Sequence, residues 1–94
     1  MVSRIGGDEF ACLLADALPR AHVTRLASKI YDAVSSPLTV GGIRLSVRPS
    51  IGIATCPADG TTAAHLLRNA DAAMYLAKRR QSGHAFFDEV GADA

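Results

Sequence analysis

The chain has 94 residues and a formal net charge of +1, enough for one small domain and too balanced for a field that steers nucleic acid or an anionic membrane. Hydrophobic residues make up 49% and charged residues 20%, a globular composition that excludes a disordered chain. No apolar run approaches the ~18 residues of a membrane span and no apolar signal core opens the chain, so a cytoplasmic location without membrane contact is expected.

Val2 to Ile5 and Phe10 to Leu14 are apolar runs on either side of Gly6-Gly7-Asp8-Glu9. That pattern predicts a β-hairpin, because a tight turn needs the positive φ that glycine adopts freely. Asp16 and Pro19 supply helix-start chemistry, a polar cap followed by a residue with φ already set. Val23, Leu26, Ala27, Ile30 and Val34 then fall on one helical face, and Ser35-Ser36-Pro37 stops the helix.

Leu38 to Val40 and the run from Ile43 flank Gly41-Gly42, a second hairpin signal. From Ile43 the alternation predicts one extended strand, with Leu45, Val47, Ile51 and Ile53 on one face and Arg44, Ser46, Arg48 and Ser50 on the other. Pro49 lacks a ladder N–H and places an edge or a bulge in that strand. After a loop at Cys56 to Gly60, Ala63, Leu66, Leu67, Ala70, Met74 and Ala77 mark a second helix, opened by Thr61 or Thr62. Lys78, Arg79 and Arg80 suit the negative end of its dipole; Gly83 ends the helical region, and His84 to Phe87 reads as a last strand. The order is β-β-α-β-β-α-β, an α+β fold with two helices on a mostly antiparallel sheet. Alanine is abundant and tryptophan absent, so the core is one of small side chains in close backbone contact.

Cys12 and Cys56 lack CxxC spacing and clustered histidines and read as buried free thiols. His22, His65 and His84 share no ligand spacing and read as surface residues. Asn69 and Asp71 read as structural or solvated, Met74 and Tyr75 as core or rim packing, and Lys29 as a solvated helix residue. The stretch with chemical potential is the first turn. Two carboxylates, Asp8 and Glu9, beside two residues without side chains are what a phosphate–metal site requires: glycine admits a phosphate close to the backbone, and carboxylate oxygens hold Mg²⁺. On its own such a turn is more often a solvated hairpin tip.

Arg4-Ile5-Gly6-Gly7-Asp8-Glu9-Phe10 resembles the signature of the GGDEF family, the diguanylate cyclases. Ser50-Ile51-Gly52-Ile53-Ala54 is similar to that family's SIGIA strand, and the segment from Leu66 to Lys78 to its late helix, LLxxADxAMYxAK. The resemblance runs from Arg4 to about Phe87, with the three motifs in the family's order. It implies that residues 1–94 are the C-terminal half of a GGDEF (nucleotidyl-cyclase-like) domain. The DxDxFKxxND and GHxxGD elements of the N-terminal half are not found, nor is the RxxD inhibitor motif that lies just upstream of the signature in many members.

By the same resemblance, Asp8 would be a catalytic metal ligand with Glu9 beside it, and Gly6 and Gly7 would leave room for the substrate's phosphates. Lys78 would contact the terminal phosphates, and Mg²⁺ (or Mn²⁺) would be the cofactor. Where many members carry an arginine four residues after that lysine, this chain has Ser82, and Arg79, Arg80 or His84 are the candidate substitutes. The family reaction joins two GTP molecules into cyclic di-GMP between two subunits. Without its other half the chain is expected to be inactive. The alternative implied role is a non-catalytic GTP-binding, dimerisation or regulatory module of a GGDEF–EAL protein, since Phe86-Phe87-Asp88-Glu89 resembles the lead into a second domain. A strand of the missing half would lie between the signature hairpin and the SIGIA strand. The chain is therefore expected to form a homodimer or strand-exchanged oligomer, or to rearrange its sheet.

Overall fold

A computed structural model describes the backbone of residues 2–6, 9–14, 18–46 and 48–91, and the side chains of 18–46 and 48–91. The elements are β1 (Val2–Gly6), β2 (Glu9–Leu14), α1 (Arg20–Ser35), β3 (Leu38–Val40), β4 (Ile43–Leu45), β5 (Ser50–Thr55), α2 (Ala63–Arg80) and β6 (His84–Phe86), followed by a 3₁₀ turn at Phe87–Glu89. The α+β class is the one read from the sequence, but the order β-β-α-β-β-β-α-β has one strand more than expected, because the run from Ile43 forms two strands.

The main sheet has the order β1-β2-β5-β6. β1 and β2 are antiparallel, with Gly6 opposite Glu9, while β2–β5 and β5–β6 are parallel. The sheet is thus mixed, where mainly antiparallel pairing was expected. The reason lies in the connections: α1 stands between β2 and β5 and α2 between β5 and β6, and such crossovers return the chain in the same direction. β2 pairs β5 directly over six residues, from Glu9↔Ser50 to Leu14↔Thr55. No strand intervenes between the signature hairpin and the SIGIA strand.

β5 is the centre of the fold, and its two faces meet different helices. Ile51 and Ile53 pack with Val23 and Ala27 of α1 and with Phe86, while Leu26, Ile30, Tyr31 and Val34 border that cluster. Ala54 packs with Ala70 of α2, bordered by Leu66, Leu67 and Phe87. Burial of Val23, Ile51 and Ile53 contributes about 1.5–3 kcal/mol per side chain. α2 lies close because its contact residues are alanines and because Gly52 faces it without a side chain: a Cβ there would fall on the Ala70 carbonyl oxygen and the Met74 amide nitrogen. The small-residue core is therefore real, with Ala73, Leu76, Ala77 and Ala85 completing it.

The long strand expected from Ile43 divides in two. β4 pairs only with β3, in a separate hairpin whose turn places Gly41 at φ 57° and Gly42 at φ 83°, the paired positive values of a type I′ turn. The chain leaves β4 after Leu45, and Pro49, without an N–H to donate, precedes β5. Leu45 therefore does not share a buried face with Ile51 and Ile53. With Leu38, Val40 and Ile43 it makes the apolar side of the β3–β4 hairpin, and all four are more than half exposed. Arg44 and Arg48, expected on one strand face, lie on β4 and in the connecting loop respectively.

Helix boundaries follow local chemistry. Pro19 occupies the N-cap position of α1 with no side-chain cap, and Asp16, the expected cap, lies outside the described residues. Thr62 caps α2, its hydroxyl accepting from the His65 amide at 3.2 Å. At the other end the C-cap is Gln81 rather than Gly83: Gln81 is left-handed (φ 56°), Gly83 follows at φ 84°, and the Ser82 amide donates to the Ala77 carbonyl at 3.1 Å. Phe87 leaves the last strand for the 3₁₀ turn. No helix among the described residues is long and apolar enough to cross a membrane.

Candidate functional site

The pairing of Gly6 with Glu9 brackets the first turn, so its two ends sit at one end of the sheet. Glu9 is opposite Ser50, the first residue of β5, and the Ile51 amide donates to the Gly83 carbonyl at 2.9 Å just ahead of β6. The turn, the start of β5 and the entry to β6 thus share one sheet end. Gly7 and Asp8 lie outside the described residues, as does the side chain of Glu9.

Lys78 reaches this end from the last turn of α2. The helix runs back across β5 after the Cys56–Gly60 loop, so its C-terminus returns to where β5 begins. There Lys78 and Ser50 line a cleft of about 230 Å³ together with Tyr31, Arg48, Pro49, Gln81 and Gly83. Among the described residues no carboxylate lines this cleft. An adjoining depression shares Tyr31, Gln81 and Gly83 and adds Ser28, Asp32, Ser82 and His84.

Ser82 thus stands at the rim of the neighbouring depression, where its hydroxyl donates to the His84 carbonyl at 2.8 Å. Of the candidate substitutes for the missing arginine, Arg80 is paired with Glu89 at 3.0 Å and His84 meets the Phe86 ring edge-on. Neither Arg79 nor Arg80 lines the cleft that holds Lys78. Arg48 does, and the sequence reading missed it by assigning it to a strand face. The available signal was Pro49, which ends the extended run and leaves Arg48 in a loop.

The remaining residues have structural or solvated settings. Asn69 donates to the Asp59 carbonyl at 2.6 Å, and the Asp59 carboxylate accepts from the Thr55 amide at 2.8 Å and the Thr55 hydroxyl at 3.1 Å. These bonds fasten the loop between β5 and α2. Tyr75, expected to pack, is 67% exposed, while Met74 is half-buried. His22, His65 and Lys29 are exposed and His84 half-buried. Cys56 is a free, half-buried thiol, and the Cys12 side chain lies outside the described set.

The tail segment folds back on the body. Arg20 at the start of α1 donates to Asp88 at 2.6 and 3.2 Å, and its guanidinium lies 3.8 Å from the centre of the Phe86 ring. The hydrogen bond to Asp88 raises the Arg20 pKa above the ordinary arginine value. Glu89 accepts from the Phe86 amide at 2.7 Å and from Arg80.

The family model described as "Diguanylate cyclase, GGDEF domain" matches residues 1–84. The chain belongs to the GGDEF domain family. It is 42% identical over 88 residues to the bifunctional diguanylate cyclase/cyclic di-GMP phosphodiesterase MucR of Pseudomonas aeruginosa, covering 93% of this chain and 13% of that protein. It is 43% identical over 84 residues to the diguanylate cyclase TpbB of the same species, covering 88% of this chain and 19% of that protein. The cyclic di-GMP phosphodiesterase PdeR of Escherichia coli is 35% identical over 83 residues, 88% of this chain and 12% of that protein. The chain thus spans less than a fifth of the length of these relatives. No solved structure gives a significant match.

Among the described residues no group of three or more His, Cys, Asp or Glu side chains is arranged to hold a metal ion. The donor set implied for Mg²⁺, Asp8 and Glu9, consists of hard carboxylate oxygens and fits that ion chemically. Its geometry lies with side chains outside the described set.

Proposed function

We propose that this GGDEF chain supplies the phosphate- and metal-binding part of a diguanylate cyclase domain, which condenses two GTP molecules into cyclic di-GMP. The supporting observation is the sheet end where Gly6, Glu9 and Ser50 are in register beside the cleft lined by Lys78. In this reading residues 1–94 form part of a larger domain. Gly6 and Gly7 admit the phosphates, Lys78 holds them as a point charge, and Asp8 and Glu9 would bind Mg²⁺ (or Mn²⁺). Bound there, the metal would offset phosphate charge and assist in-line displacement by a 3′-hydroxyl. The chain's own part is orientation: a lysine from α2 and glycine backbone from the hairpin fix one triphosphate, and a second subunit presents the other nucleotide. The open edge at β1 and the apolar side of the β3–β4 hairpin support a homodimer or strand-exchanged oligomer.

By itself the 94-residue chain makes no cyclic di-GMP, because one carboxylate pair and no guanine-reading residues leave the site incomplete. The test is product formation from GTP and Mg²⁺ by the longer protein that contains this chain, unaltered and with Asp8→Ala. Product that disappears with Asp8→Ala supports the reading; equal yield from both, or none from the unaltered protein, rejects it. The names of MucR and PdeR favour a second reading, a GTP-binding regulatory module joined to a cyclic di-GMP phosphodiesterase. In that case Asp8→Ala would alter hydrolysis of cyclic di-GMP without any synthesis to lose.

A further inference from the structure

We propose that the turn after β6, together with Ser82, blocks the outer edge of β6 against pairing with the β6 of a second copy of this chain. The inference is independent of the nucleotide site.

The register of β6 shows which of its backbone groups face outward. Among the described residues β5 is the one neighbour of β6, so β6 is an edge of the sheet. The Ile51 amide donates to the Gly83 carbonyl, and Ile51 stands opposite His84. In a parallel ladder this turns the backbone of Gly83 and Ala85 toward β5 and that of His84 and Phe86 away from it. Outward groups of this kind, left unpaired, are a template for another strand.

Two side chains occupy them. The Phe86 amide donates to the Glu89 carboxylate at 2.7 Å, and the His84 carbonyl accepts from the Ser82 hydroxyl at 2.8 Å. The groups taken identify the partner that is excluded. If two copies set β6 antiparallel about a two-fold axis at Ala85, His84 of each would face Phe86 of the other. The Phe86 amide of one copy would then donate to the His84 carbonyl of the other. That donor and that acceptor are the ones already engaged within the chain.

Glu89 is held from both faces of the sheet. Arg80 at the end of α2 donates to its other oxygen at 3.0 Å. Arg20 at the start of α1 lies 3.7 Å from the carboxylate while it grips Asp88 at 2.6 Å. Ion pairs as exposed as that of Arg20 and Asp88 would hold the turn only weakly. Packing pins it on either side of the two carboxylates: Phe87 borders Ala54 and Ala70, and Val90 borders Leu76, Ala77 and Ala85.

The test is sedimentation velocity of the chain over a concentration series, with hydrogen exchange at the outward-facing His84 amide as a second readout. Glu89→Ala, Glu89→Gln, Ser82→Ala and Asp32→Ala are compared with the unaltered chain. Asp32 is the charge-matched control, an exposed carboxylate on α1. Glu89→Ala frees the Phe86 donor on both sides of a two-fold pair and is expected to strengthen association about tenfold or more. Its largest species should run at about twice the mass of the unaltered chain's. In that variant the His84 amide should exchange about tenfold more slowly as concentration rises. Glu89→Gln keeps an acceptor for the Phe86 amide and should stay, like Asp32→Ala, within about twofold of the unaltered chain. Ser82→Ala leaves the ion pairs of the turn in place and should strengthen association about threefold, so the outcome does not depend on Glu89→Ala folding. Unchanged association in both Glu89→Ala and Ser82→Ala would overturn the proposal, as would larger species that leave exchange at His84 unaltered.

Discussion

Gly52 of β5 lies against the backbone of Ala70 in α2, so close that a β-carbon on Gly52 would stand 1.9 Å from the Ala70 carbonyl oxygen. This contact sets the distance between the central strand and the helix that delivers Lys78. It depends on a residue without a side chain on the strand and on alanines along the helix.

Gly52→Ala should therefore destabilise the fold by about 2–3 kcal/mol or more, because the atoms it meets are backbone and cannot rotate away. Gly91→Ala meets nothing within 4 Å and should be neutral within about 0.5 kcal/mol. Urea denaturation of the two variants checks the contrast. Equal midpoints would show that α2 does not pack as described.

The loop that turns the chain from β5 into α2 is fastened by Asp59. Asp59→Ala removes the acceptor of two bonds from Thr55 and should cost about 1–3 kcal/mol. Asn69→Ala, which removes one donor to the Asp59 carbonyl, should cost about 1 kcal/mol. Thermal melts of the single and double variants measure both. Since the two side chains hold one loop, their effects should fall short of a simple sum.

Much of this was legible in the sequence, and the exceptions have definite causes. The Gly6–Glu9 and Gly41-Gly42 hairpins were plain because glycine turns between apolar runs have few alternatives. The first helix was plain because Val23, Leu26, Ala27, Ile30 and Val34 keep one period. Parallel pairing of β5 was not legible: alternation along a strand says which residues share a face, and the neighbours are set by the helices that cross between strands. Alternation also failed across Pro49, where Leu45 and Ile51 keep phase but belong to different sheets. For the site, the signature and Lys78 were readable as motifs. Arg48 was not, because its place in the cleft depends on the interruption of the extended run between Leu45 and Ser50 and on α2 folding back across β5.

Arg20 joins the start of α1 to the end of the chain through Asp88 and the Phe86 ring. Both charged groups are more than half exposed, so Arg20→Ala should cost only about 1 kcal/mol, shared between the ion pair and the ring contact. Arg20→Lys should recover part of it. Added salt should lower the parent's stability more than that of Arg20→Ala, which a salt titration of the melting temperature would show.

The β3–β4 hairpin carries Leu38, Val40, Ile43 and Leu45 on one exposed side, and β1 is an open sheet edge. The chain should run in light scattering at twice its 9.8 kDa mass or more. Ile43→Lys should shift that equilibrium toward the single chain without lowering its unfolding midpoint by more than about 0.5 kcal/mol. A monodisperse 9.8 kDa species with cooperative melting would contradict the expectation.

The most direct test of the central claim is an amide-resolved NMR titration of the chain with GTP and Mg²⁺, because it reports position even when binding is weak. The account predicts shifts at Gly6, Gly7, Asp8 and Glu9, at Arg48 and Ser50, and at Lys78, with the Asp59–Asn69 loop at the far end of β5 unmoved. Shifts centred on that loop or on the β3–β4 hairpin, or no shift at the sheet end that joins Glu9 to Ser50, would contradict it.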